Sequence, residues 1–288
     1  MDGHKPSILI TGANGQLGRC LQLFESEHPA YTFLAMGREH LPIQDFALVD
    51  KVIENVKPSI IINAAAYTAV DKAEQEKDTA NLVNGFAAGN LAAAAKRVGA
   101  LFLHVSTDYV FNGKASVPYK ENDPVDPVNI YGQSKLLGEH LAIKENPGSI
   151  ILRTSWVYSH YGFNFVKTMI RLMSSRESIG VVNDQFGSPT YAPDLAEALL
   201  QIATGPHDKV PGIYHFSNRG NITWYDFAMG IKKAKSFSCE VNPITTGEFP
   251  TPAKRPFYSV LDCKKIESTF NIKLLDWESR LKECLKGL

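Results

Sequence analysis

The sequence predicts an α/β protein with a doubly wound parallel sheet and a smaller C-terminal lobe. Three observations support this fold class. Short apolar runs alternate with helix-length segments over the first two thirds of the chain, a glycine-rich turn follows the first run, and prolines and glycines become frequent after residue 156. We therefore expect one domain over residues 1–156, completed by a returning strand near residues 213–216. Residues 157–288 should form most of a lobe that is discontinuous in sequence.

The strands are predicted from runs of apolar and β-branched residues, and Ile60-Ile61-Ile62 is typical of a strand buried on both faces. The predicted strands are Ser7–Thr11, Thr32–Met36, 59–63, 101–106 and Ile150–Thr154. Helical patterns lie at residues 16–25, 46–55, 78–98, 130–144, 163–173 and 193–203. Because strands and helices alternate, the connections are expected to be βαβ crossovers, with helices on both faces of a parallel sheet.

The composition excludes several classes of protein. Of 288 residues, 44% are hydrophobic, which is enough for a substantial core. Thirty basic residues balance thirty acidic ones, so the basic excess typical of nucleic-acid binders is missing. The four cysteines have no metal-ligand spacing, and the apolar runs are too short to cross a bilayer. We therefore expect a cytoplasmic protein with no nucleic-acid or membrane partner and no bound metal.

The first predicted strand leads into a glycine-rich turn, GANGQLG at positions 12–18, with the spacing G-x-x-G-x-x-G. In a strand–turn–helix unit, such glycines permit a tight turn, close approach of a pyrophosphate and close packing of the helix on the strand. The start of the following helix adds partial positive charge. This context favours a Rossmann-type dinucleotide site over a plain glycine-rich turn. The predicted contacts are Gly12, Asn14, Gly15, Gln16, Leu17 and Gly18.

The cofactor's ribose is read near the end of the second strand, where this chain has Arg38 followed by Glu39. An arginine there accommodates the 2′-phosphate of NADPH, whereas an acidic residue favours NADH, so NADPH is expected and NADH stays open. Small residues after the third strand would let the chain pass close to the dinucleotide, although they also suit tight helix–sheet packing. The remaining predicted cofactor contacts are Asp45 and Phe46 beside the adenine, and Asn63, Ala64, Ala65 and Ala66.

Tyr131 and Lys135 are four residues apart in a predicted helix, so their side chains lie on one face. Reduction of a ketone needs a proton on oxygen, which a tyrosine supplies if a neighbouring ammonium lowers its pKa from about 10. Thr107 closes the fourth strand, and its hydroxyl could orient the carbonyl. Ligands of open α/β sheets bind outside the carboxyl ends of the strands, where these three residues and the glycine-rich turn are expected to meet.

These motifs resemble the extended short-chain dehydrogenase/reductase family and, within it, the dTDP-4-dehydrorhamnose reductases, almost from end to end. The blocks that carry the resemblance are GANGQLG at 12–18, NAAAYTAVDKAE at 63–74, STDYVF at 106–111, RTSWVY at 153–158, NDQFGSPT at 183–190 and TPAKRP at 251–256. The resemblance implies that NAD(P)H reduces the C4 ketone of dTDP-6-deoxy-L-lyxo-4-hexulose and gives dTDP-L-rhamnose.

The resemblance also implies roles for single residues. Tyr131 would be the proton donor, Lys135 its partner, and Thr107 the hydroxyl that orients the carbonyl. Tyr131 and Lys135 would also contact the cofactor. The residues implied to bind the substrate are Thr68, Val70, Thr107, Tyr109, Trp156, Asn164, Lys167, Gln185 and Arg255. For Asn164 helix capping is an alternative, and for Trp156 core packing is one.

Some members of the family are described as magnesium-dependent dimers in which glutamates meet at the subunit interface. One of these glutamates lies on the first helix, where this chain has Cys20 at the corresponding position. Because no replacement carboxylates are evident and hydride transfer needs no metal, we expect a metal-free monomer or homodimer.

Two rival functions remain open. The first is another nucleotide-sugar enzyme, either a 4-epimerase or a 4,6-dehydratase, although Asp108 alone follows Thr107 where a dehydratase typically has an Asp-Glu pair. The second is a non-catalytic regulatory subunit that resembles the β-subunit of methionine adenosyltransferase. The sequence also leaves the nucleotide of the substrate open between thymidine and uridine.

Overall fold

The computed structural model describes residues 5–206 and 208–288, so the first four residues of the predicted first domain lie outside it. Five of the strands that it contains match the predicted ones to within one residue. The strands are β1 Ser7–Thr11, β2 Thr32–Met36, β3 Ile60–Asn63, β4 Leu101–Thr107, β5 Ile150–Thr154, β6 Val157–Tyr158, β7 Ser178–Val182, β8 Phe186–Gly187, β9 Thr190–Tyr191, β10 Gly212–His215, β11 Ile222–Thr223 and β12 Glu240–Ile244.

Six of these strands form one parallel sheet in the order β10-β5-β4-β3-β1-β2. β10 is the predicted returning strand, and it pairs with β5 so that Ile213 lies beside Ile151. β1 lies between β2 and β3, so the chain leaves the centre of the sheet first in one direction and then in the other. Such a reversal opens a crevice at the carboxyl ends of the strands. The predicted Rossmann-type fold is therefore confirmed.

Helices cover both faces of the sheet. They are α1 Gln16–Leu23, α2 Phe46–Val56, α3 Val70–Ala73, α4 Lys77–Ala80, α5 Ala87–Val98, α6 Ile130–Glu145, α7 Phe165–Met173, α8 Ala192–Thr204, α9 Trp224–Lys235, α10 Lys264–Phe270 and α11 Trp277–Lys286. Side chains alternate along a strand, so Ile8 and Ile10 pack with α1, α8 and α10, whereas Leu9 faces α2, α5 and α6.

The helix predicted over residues 78–98 is interrupted. A π-helical turn, Asn81–Phe86, separates α4 from α5. Within it, the buried Asn84 amide donates to the Ser134 hydroxyl (2.9 Å) on α6 and to the Tyr67 carbonyl (3.0 Å). The wider turn thus directs a polar side chain toward the helix that carries Tyr131, and periodicity alone does not reveal such a turn.

A separate apolar cluster forms the core of the C-terminal lobe and includes Tyr158, Met169, Val181, Phe227 and Leu281. Around it lie α7, α9, α11 and the parallel pair β7 and β12. The sequence did not predict β7, β12, α9, α10 or α11. The domain boundaries themselves remain a prediction. Among the described residues, no helix combines the length and apolar character needed to span a membrane.

Candidate functional site

The glycine-rich turn presses directly against the segment after β3. Gly12 has φ +66°, a backbone conformation that residues with a side chain rarely adopt. A Cβ atom on Gly12 would also lie only 2.7 Å from the Ala65 Cα atom, so there is no room for a side chain. The Gly15 N–H donates to the Gly12 carbonyl at 2.9 Å and closes the turn. The small residues Ala64 and Ala65 thus permit the close packing that the sequence predicted.

The first turn of α1 has backbone N–H groups available for an anion. Gly15 is its N-cap and offers no side-chain hydrogen bond. The exposed Arg38 follows β2, while the Glu39 carboxylate accepts a hydrogen bond from the Asn14 amide at 2.8 Å. The turn and the end of β2 are therefore linked beside the expected position of the cofactor's ribose.

Two predicted cofactor contacts have clear structural roles in the protein itself. The buried Asn63 side chain accepts from the Thr11 hydroxyl (2.7 Å) and bonds the His104 ring (3.0 Å), which ties together the ends of β1, β3 and β4. Asp45 caps α2 by accepting from the Leu48 N–H at 3.0 Å. Phe46, which follows Asp45, and Ala66, three residues after Asn63, are exposed. Contact of Asn63, Asp45, Phe46 and Ala66 with the cofactor stays a prediction.

Tyr131 and Lys135 lie on α6, as predicted, against the end of β4. Asn129 fixes the start of this helix by accepting from the Gly132 N–H at 2.7 Å. One turn later, the buried Lys135 ammonium donates to the Val105 carbonyl at 2.6 Å. The Tyr131 ring contacts Tyr109, two residues beyond Thr107, and the Thr107 hydroxyl is near enough to the Tyr131 phenol to lower its pKa. The structure therefore brings the three predicted catalytic residues together at the carboxyl edge of the sheet.

Burial changes the acidity of these groups. It raises the pKa of the Tyr131 phenol to about 12, and the hydrogen bond to Thr107 opposes this rise. It lowers the pKa of the Lys135 ammonium to about 8, although the Glu139 charge acts in the other direction. At neutral pH the tyrosine is thus protonated and the lysine largely charged. The Asp108 carboxyl, which accepts from the Thr107 hydroxyl at 3.0 Å, has its pKa raised to about 7 by burial.

A buried ion pair lies one turn beyond Lys135 on α6. The Glu139 carboxylate accepts from Arg153 Nε (2.9 Å) and Nη2 (2.7 Å). The Ser106 hydroxyl donates to the same carboxylate at 2.5 Å. Tyr131, Lys135 and Glu139 thus occupy one face of α6 at intervals of four residues and contact the end of β4.

The two aromatic residues of the predicted sugar pocket lie in different surroundings. Tyr109 meets the Tyr131 ring edge to face, with centroids 5.8 Å apart. Trp156 follows β5 with a φ of +48°, an unusual backbone conformation that is often found at functional sites. Its ring stacks on Trp224 at 3.4 Å, and a Cβ atom on Gly187 would lie 2.5 Å from it. Trp156 therefore packs in the lobe, as the alternative interpretation expected, and its contact with the sugar stays a prediction.

Two residues predicted for the nucleotide half, Asn164 and Lys167, begin α7. Asn164 caps this helix by accepting from the Lys167 N–H at 3.1 Å, and its amide donates to the Gln16 side chain at 2.9 Å. The Lys167 ammonium donates to the His160 carbonyl at 3.2 Å. The capping interpretation of Asn164 thus describes its position in the protein, and α7 is joined to the glycine-rich turn.

Arg255 and Gln185 lie in different parts of the lobe. Arg255 forms a two-bond ion pair with Asp71 (2.8 Å for each bond), and this pair holds the pKa of the Asp71 carboxyl below its usual value. Val70, half-buried at the start of α3, precedes Asp71 directly, and Thr68 is exposed nearby. The buried Gln185 donates to the Thr246 hydroxyl at 3.0 Å.

Sequence analysis missed the polar residues that position the site: Glu139, Arg153, Asn129, Asp71 and Ser159. Charged residues within apolar runs, such as Arg153 in Ile150–Thr154 and Glu139 in α6, were the available indication, because a buried charge needs a partner.

Cys20, at the position where some family members have an interface glutamate, is buried on α1. Within residues 5–206 and 208–288 no three His, Cys, Asp or Glu side chains are grouped so that they could hold a metal ion, and the absence of a metal stays a prediction.

The chain matches the family model described as RmlD substrate binding domain over residues 6–288. It is 47% identical over 285 residues to a dTDP-4-dehydrorhamnose reductase of Aggregatibacter actinomycetemcomitans, with 96% of this chain and 97% of that protein covered. It is 43% identical over 281 residues to the spore coat polysaccharide biosynthesis protein SpsK of Bacillus subtilis, with 97% and 96% covered.

Among solved structures, a dTDP-4-dehydrorhamnose reductase from Bacillus anthracis in complex with NADP is similar over 99% of this chain and 100% of that chain. The TM-score is 0.94 and the sequence identity 40%. The likeness extends over both the sheet and the C-terminal lobe. The chain therefore belongs to the dTDP-4-dehydrorhamnose reductase family, within the extended short-chain dehydrogenases/reductases.

Proposed function

We propose that this protein uses NADPH to reduce the C4 ketone of dTDP-6-deoxy-L-lyxo-4-hexulose, which gives dTDP-L-rhamnose, with Tyr131 as the proton donor. The observation that carries the proposal is the meeting of Tyr131, Lys135 and Thr107 at the same edge of the sheet as the glycine-rich turn, in a chain of this family. A proton donor, an ammonium and an orienting hydroxyl at one sheet edge suit reduction of a carbonyl.

The residues at the glycine-rich turn fit a dinucleotide. Gly12 lets the turn pack tightly against Ala65, where a Cβ atom would clash, and the N–H groups of the uncapped α1 can receive a pyrophosphate. When bound, NADPH supplies the hydride. In this proposal Arg38, exposed just after β2, contacts the 2′-phosphate, whereas the Glu39 carboxylate accepts a hydrogen bond from Asn14. The NADP complex of the Bacillus anthracis relative supports this cofactor, and NADH remains an alternative.

In this proposal side chains of the protein donate the proton that the sugar oxygen needs. Because burial keeps the Tyr131 phenol protonated at neutral pH, it can donate to the developing alkoxide oxygen of the sugar. The Lys135 ammonium stabilises the phenolate that results, since a nearby positive charge favours the charged form. Thr107 can donate to the same sugar oxygen and thereby orient the ketone.

The lobe holds the remainder of the substrate in this proposal. Tyr109 and Trp156 form apolar walls beside the sugar, and Thr68, Val70 and Gln185 extend them. The pyrophosphate is received by the cations Lys167 and Arg255 and by Asn164 at the start of α7, because the balanced overall charge provides no general attraction for anions. A cytoplasmic location fits the four buried, unpaired cysteines.

The direct test generates the keto sugar in place with the upstream dehydratase and epimerase, and follows oxidation of NADPH and of NADH. We expect oxidation that requires the sugar and is faster with NADPH. Tyr131→Phe should reduce turnover roughly 10²–10⁴-fold while the Kd for NADPH stays nearly unchanged, because the hydroxyl acts in the transition state. Tyr225→Phe, on α9 in the lobe, is the matched control and should retain turnover.

Other outcomes would redirect the assignment. Full turnover in Tyr131→Phe would contradict the mechanism. Cofactor that stays bound through chromatography, with no net oxidation, would favour a 4-epimerase or 4,6-dehydratase. Dinucleotide binding without activity on any nucleotide sugar would favour the regulatory subunit.

A further inference from the structure

Gln16 is the first residue of α1, inside the glycine-rich turn, but its side chain leaves the sheet domain. The Gln16 Oε1 atom accepts a hydrogen bond from the Ser159 hydroxyl and another from the Asn164 amide, each at 2.9 Å. Both donors belong to the segment between β6 and α7, more than 140 positions later in the chain. One side-chain oxygen thus joins the expected cofactor turn to the lobe.

The segment that Gln16 contacts is itself tightly closed. The fully buried Ser159 hydroxyl accepts from the Tyr161 N–H at 3.1 Å, and the Asn164 amide also donates to the Ser159 carbonyl at 2.8 Å. Gly162 has φ +61° and lies close to Gln16: a Cβ atom on Gly162 would be 3.1 Å from the Gln16 Cγ atom. Residues 159–164 therefore form a rigid loop that is held against α1, and we call it the Gln16 loop.

The Gln16 loop ends at the nucleotide half of the site. Asn164 caps α7, and Lys167 in the first turn of that helix is one of the two cations assigned to the pyrophosphate. Displacement of the loop from Gln16 would remove one hydrogen bond from the fully buried Ser159 hydroxyl and one from the part-buried Asn164 amide, which keeps its bond to the Ser159 carbonyl. A typical hydrogen bond contributes about 0.5–1.5 kcal/mol to stability, so separation of the loop from α1 is unfavourable. The glycine-rich turn and the start of α7 are thus expected to move as one unit.

We propose that Gln16 is a positioning residue that couples the two ligand sites, so that a bound dinucleotide raises the affinity for the sugar nucleotide and the reverse. The inference rests on the proposed function for its second ligand. A dinucleotide that orders the glycine-rich turn also orders the Gln16 loop, because Gln16 lies in the turn and is hydrogen-bonded to the loop, and thereby orders Lys167 at the start of α7. By thermodynamic linkage, the pyrophosphate-bearing ligand must strengthen dinucleotide binding by the same factor.

A second glutamine on the same helix provides a matched control. The Gln22 amide donates to the carbonyls of Ala13 and Gly18, at 2.9 Å each. It therefore supports the glycine-rich turn from within the sheet domain, and neither of these two bonds reaches the lobe. A variant of Gln22 should change the affinity of the turn for its ligand without changing the coupling between the sites.

The test measures the Kd of NADP⁺ for the full chain by calorimetry, without and with saturating dTDP. For the wild type we expect dTDP to tighten NADP⁺ binding at least about fivefold, the lower end of typical coupling factors. The factor should fall toward one in Gln16→Leu and in Ser159→Ala, and the double variant should lose no more than either alone. Gln22→Ala should bind NADP⁺ more weakly yet keep the wild-type factor.

Gln16→Glu separates positioning from simple loss of structure. Its carboxylate can still accept from Ser159 and Asn164, so the coupling factor should be retained, whereas its charge beside the phosphates should weaken NADP⁺ itself. A factor that stays at the wild-type value in Gln16→Leu and Ser159→Ala would overturn the inference and leave the proposed function intact. So would independent binding of the two ligands to the wild type. A wild-type protein that does not bind dTDP would overturn both.

Discussion

Two arginine–carboxylate pairs near helix α6 lie in different environments. The Glu139–Arg153 pair lies inside the protein, with side chains that are 1% and 3% exposed, and joins α6 to β5. The Asp71–Arg255 pair also has two hydrogen bonds, each of 2.8 Å compared with 2.9 and 2.7 Å in the first pair, but its side chains are 41% and 21% exposed. Similar hydrogen-bond distances therefore accompany very different solvation, and solvation decides what each pair contributes.

The buried pair is part of the framework beneath the reacting groups. Removing one partner would leave a charge in a poorly solvated interior, where its cost is large. The exposed pair instead fastens a segment: Asp71 also accepts from the Ala253 N–H at 3.1 Å, and Asn129 donates to the Lys254 carbonyl at 2.8 Å. Residues 251–256 are thus held over the start of α6. We expect the first pair to govern stability and the second to govern binding.

The largest effect is expected for Glu139→Gln. This change keeps the shape of the side chain but leaves the Arg153 guanidinium buried without its counter-charge. The free energy of unfolding should fall by about 3–5 kcal/mol, the usual cost of breaking a buried pair. Urea denaturation followed by circular dichroism measures it.

The control for that prediction removes both charges together. Glu139→Leu with Arg153→Met should recover at least half of the lost stability, because an apolar replacement of a buried ion pair is often neutral. The recovery should be incomplete, since the Ser106 hydroxyl loses its acceptor. A loss below about 1 kcal/mol for Glu139→Gln, the range of exposed pairs, would erase the distinction between the two pairs.

A smaller effect on stability, but a clear effect on binding, is expected for Asp71→Asn. The pair is partly exposed, so the unfolding free energy should change by less than about 1 kcal/mol. The KM for the sugar nucleotide should rise several-fold, because Arg255 and its segment lose their anchor while the catalytic residues are untouched. Steady-state kinetics of NADPH oxidation at varied sugar concentration separates KM from kcat.

Glu267→Gln supplies the matched control for the exposed pair. Glu267 accepts from the exposed Arg219 at 2.8 Å, a contact of similar length that lies away from α6. Its loss should leave both KM and kcat at wild-type values. A drop in kcat with unchanged KM for Asp71→Asn would instead place Asp71 among the groups that act in the chemical step.

The sheet domain followed from the sequence because its information is local. Buried parallel strands appear as continuous apolar runs, and Ser7–Thr11, Thr32–Met36 and Ile150–Thr154 were predicted with their observed bounds. In the lobe, β7 and β12 are five-residue strands whose pairing partners lie about sixty residues apart, and β12 contains Pro243. Such pairing depends on tertiary contacts, and proline within a strand argues against it locally.

The site followed the same rule. The glycine-rich turn and the Tyr131–Lys135 spacing are short-range patterns, and their location at one edge of the sheet was expected from the general geometry of parallel sheets. The contacts that hold the site together are long-range: Glu139 with Arg153, Asp71 with Arg255, and Gln16 with Ser159. Each member alone is an ordinary polar residue, so only the folded arrangement reveals its partner.

The smallest expected effect is a change in the pH dependence of turnover, which reports the charge on Lys135 and should differ between variants of the two ion pairs. Burial brings the pKa of this ammonium to about 8, and the Glu139 charge keeps it from falling further. Since the proposed mechanism requires the charged form beside Tyr131, turnover should decline as the pH rises through about 8. In Glu139→Gln the supporting charge is lost and Arg153 remains, so the midpoint of the decline should move to lower pH, by up to about one unit or 1.4 kcal/mol.

Asp71→Asn should leave that midpoint unchanged, because no charge next to Lys135 has been removed. The measurement is the pH dependence of kcat between pH 6 and 10 for the wild type and both variants, at a temperature where circular dichroism shows each to be folded. A shift to higher pH in Glu139→Gln would contradict the electrostatic role of the buried pair. Equal shifts in both variants would mean that the two pairs act on the lysine alike, despite their different solvation.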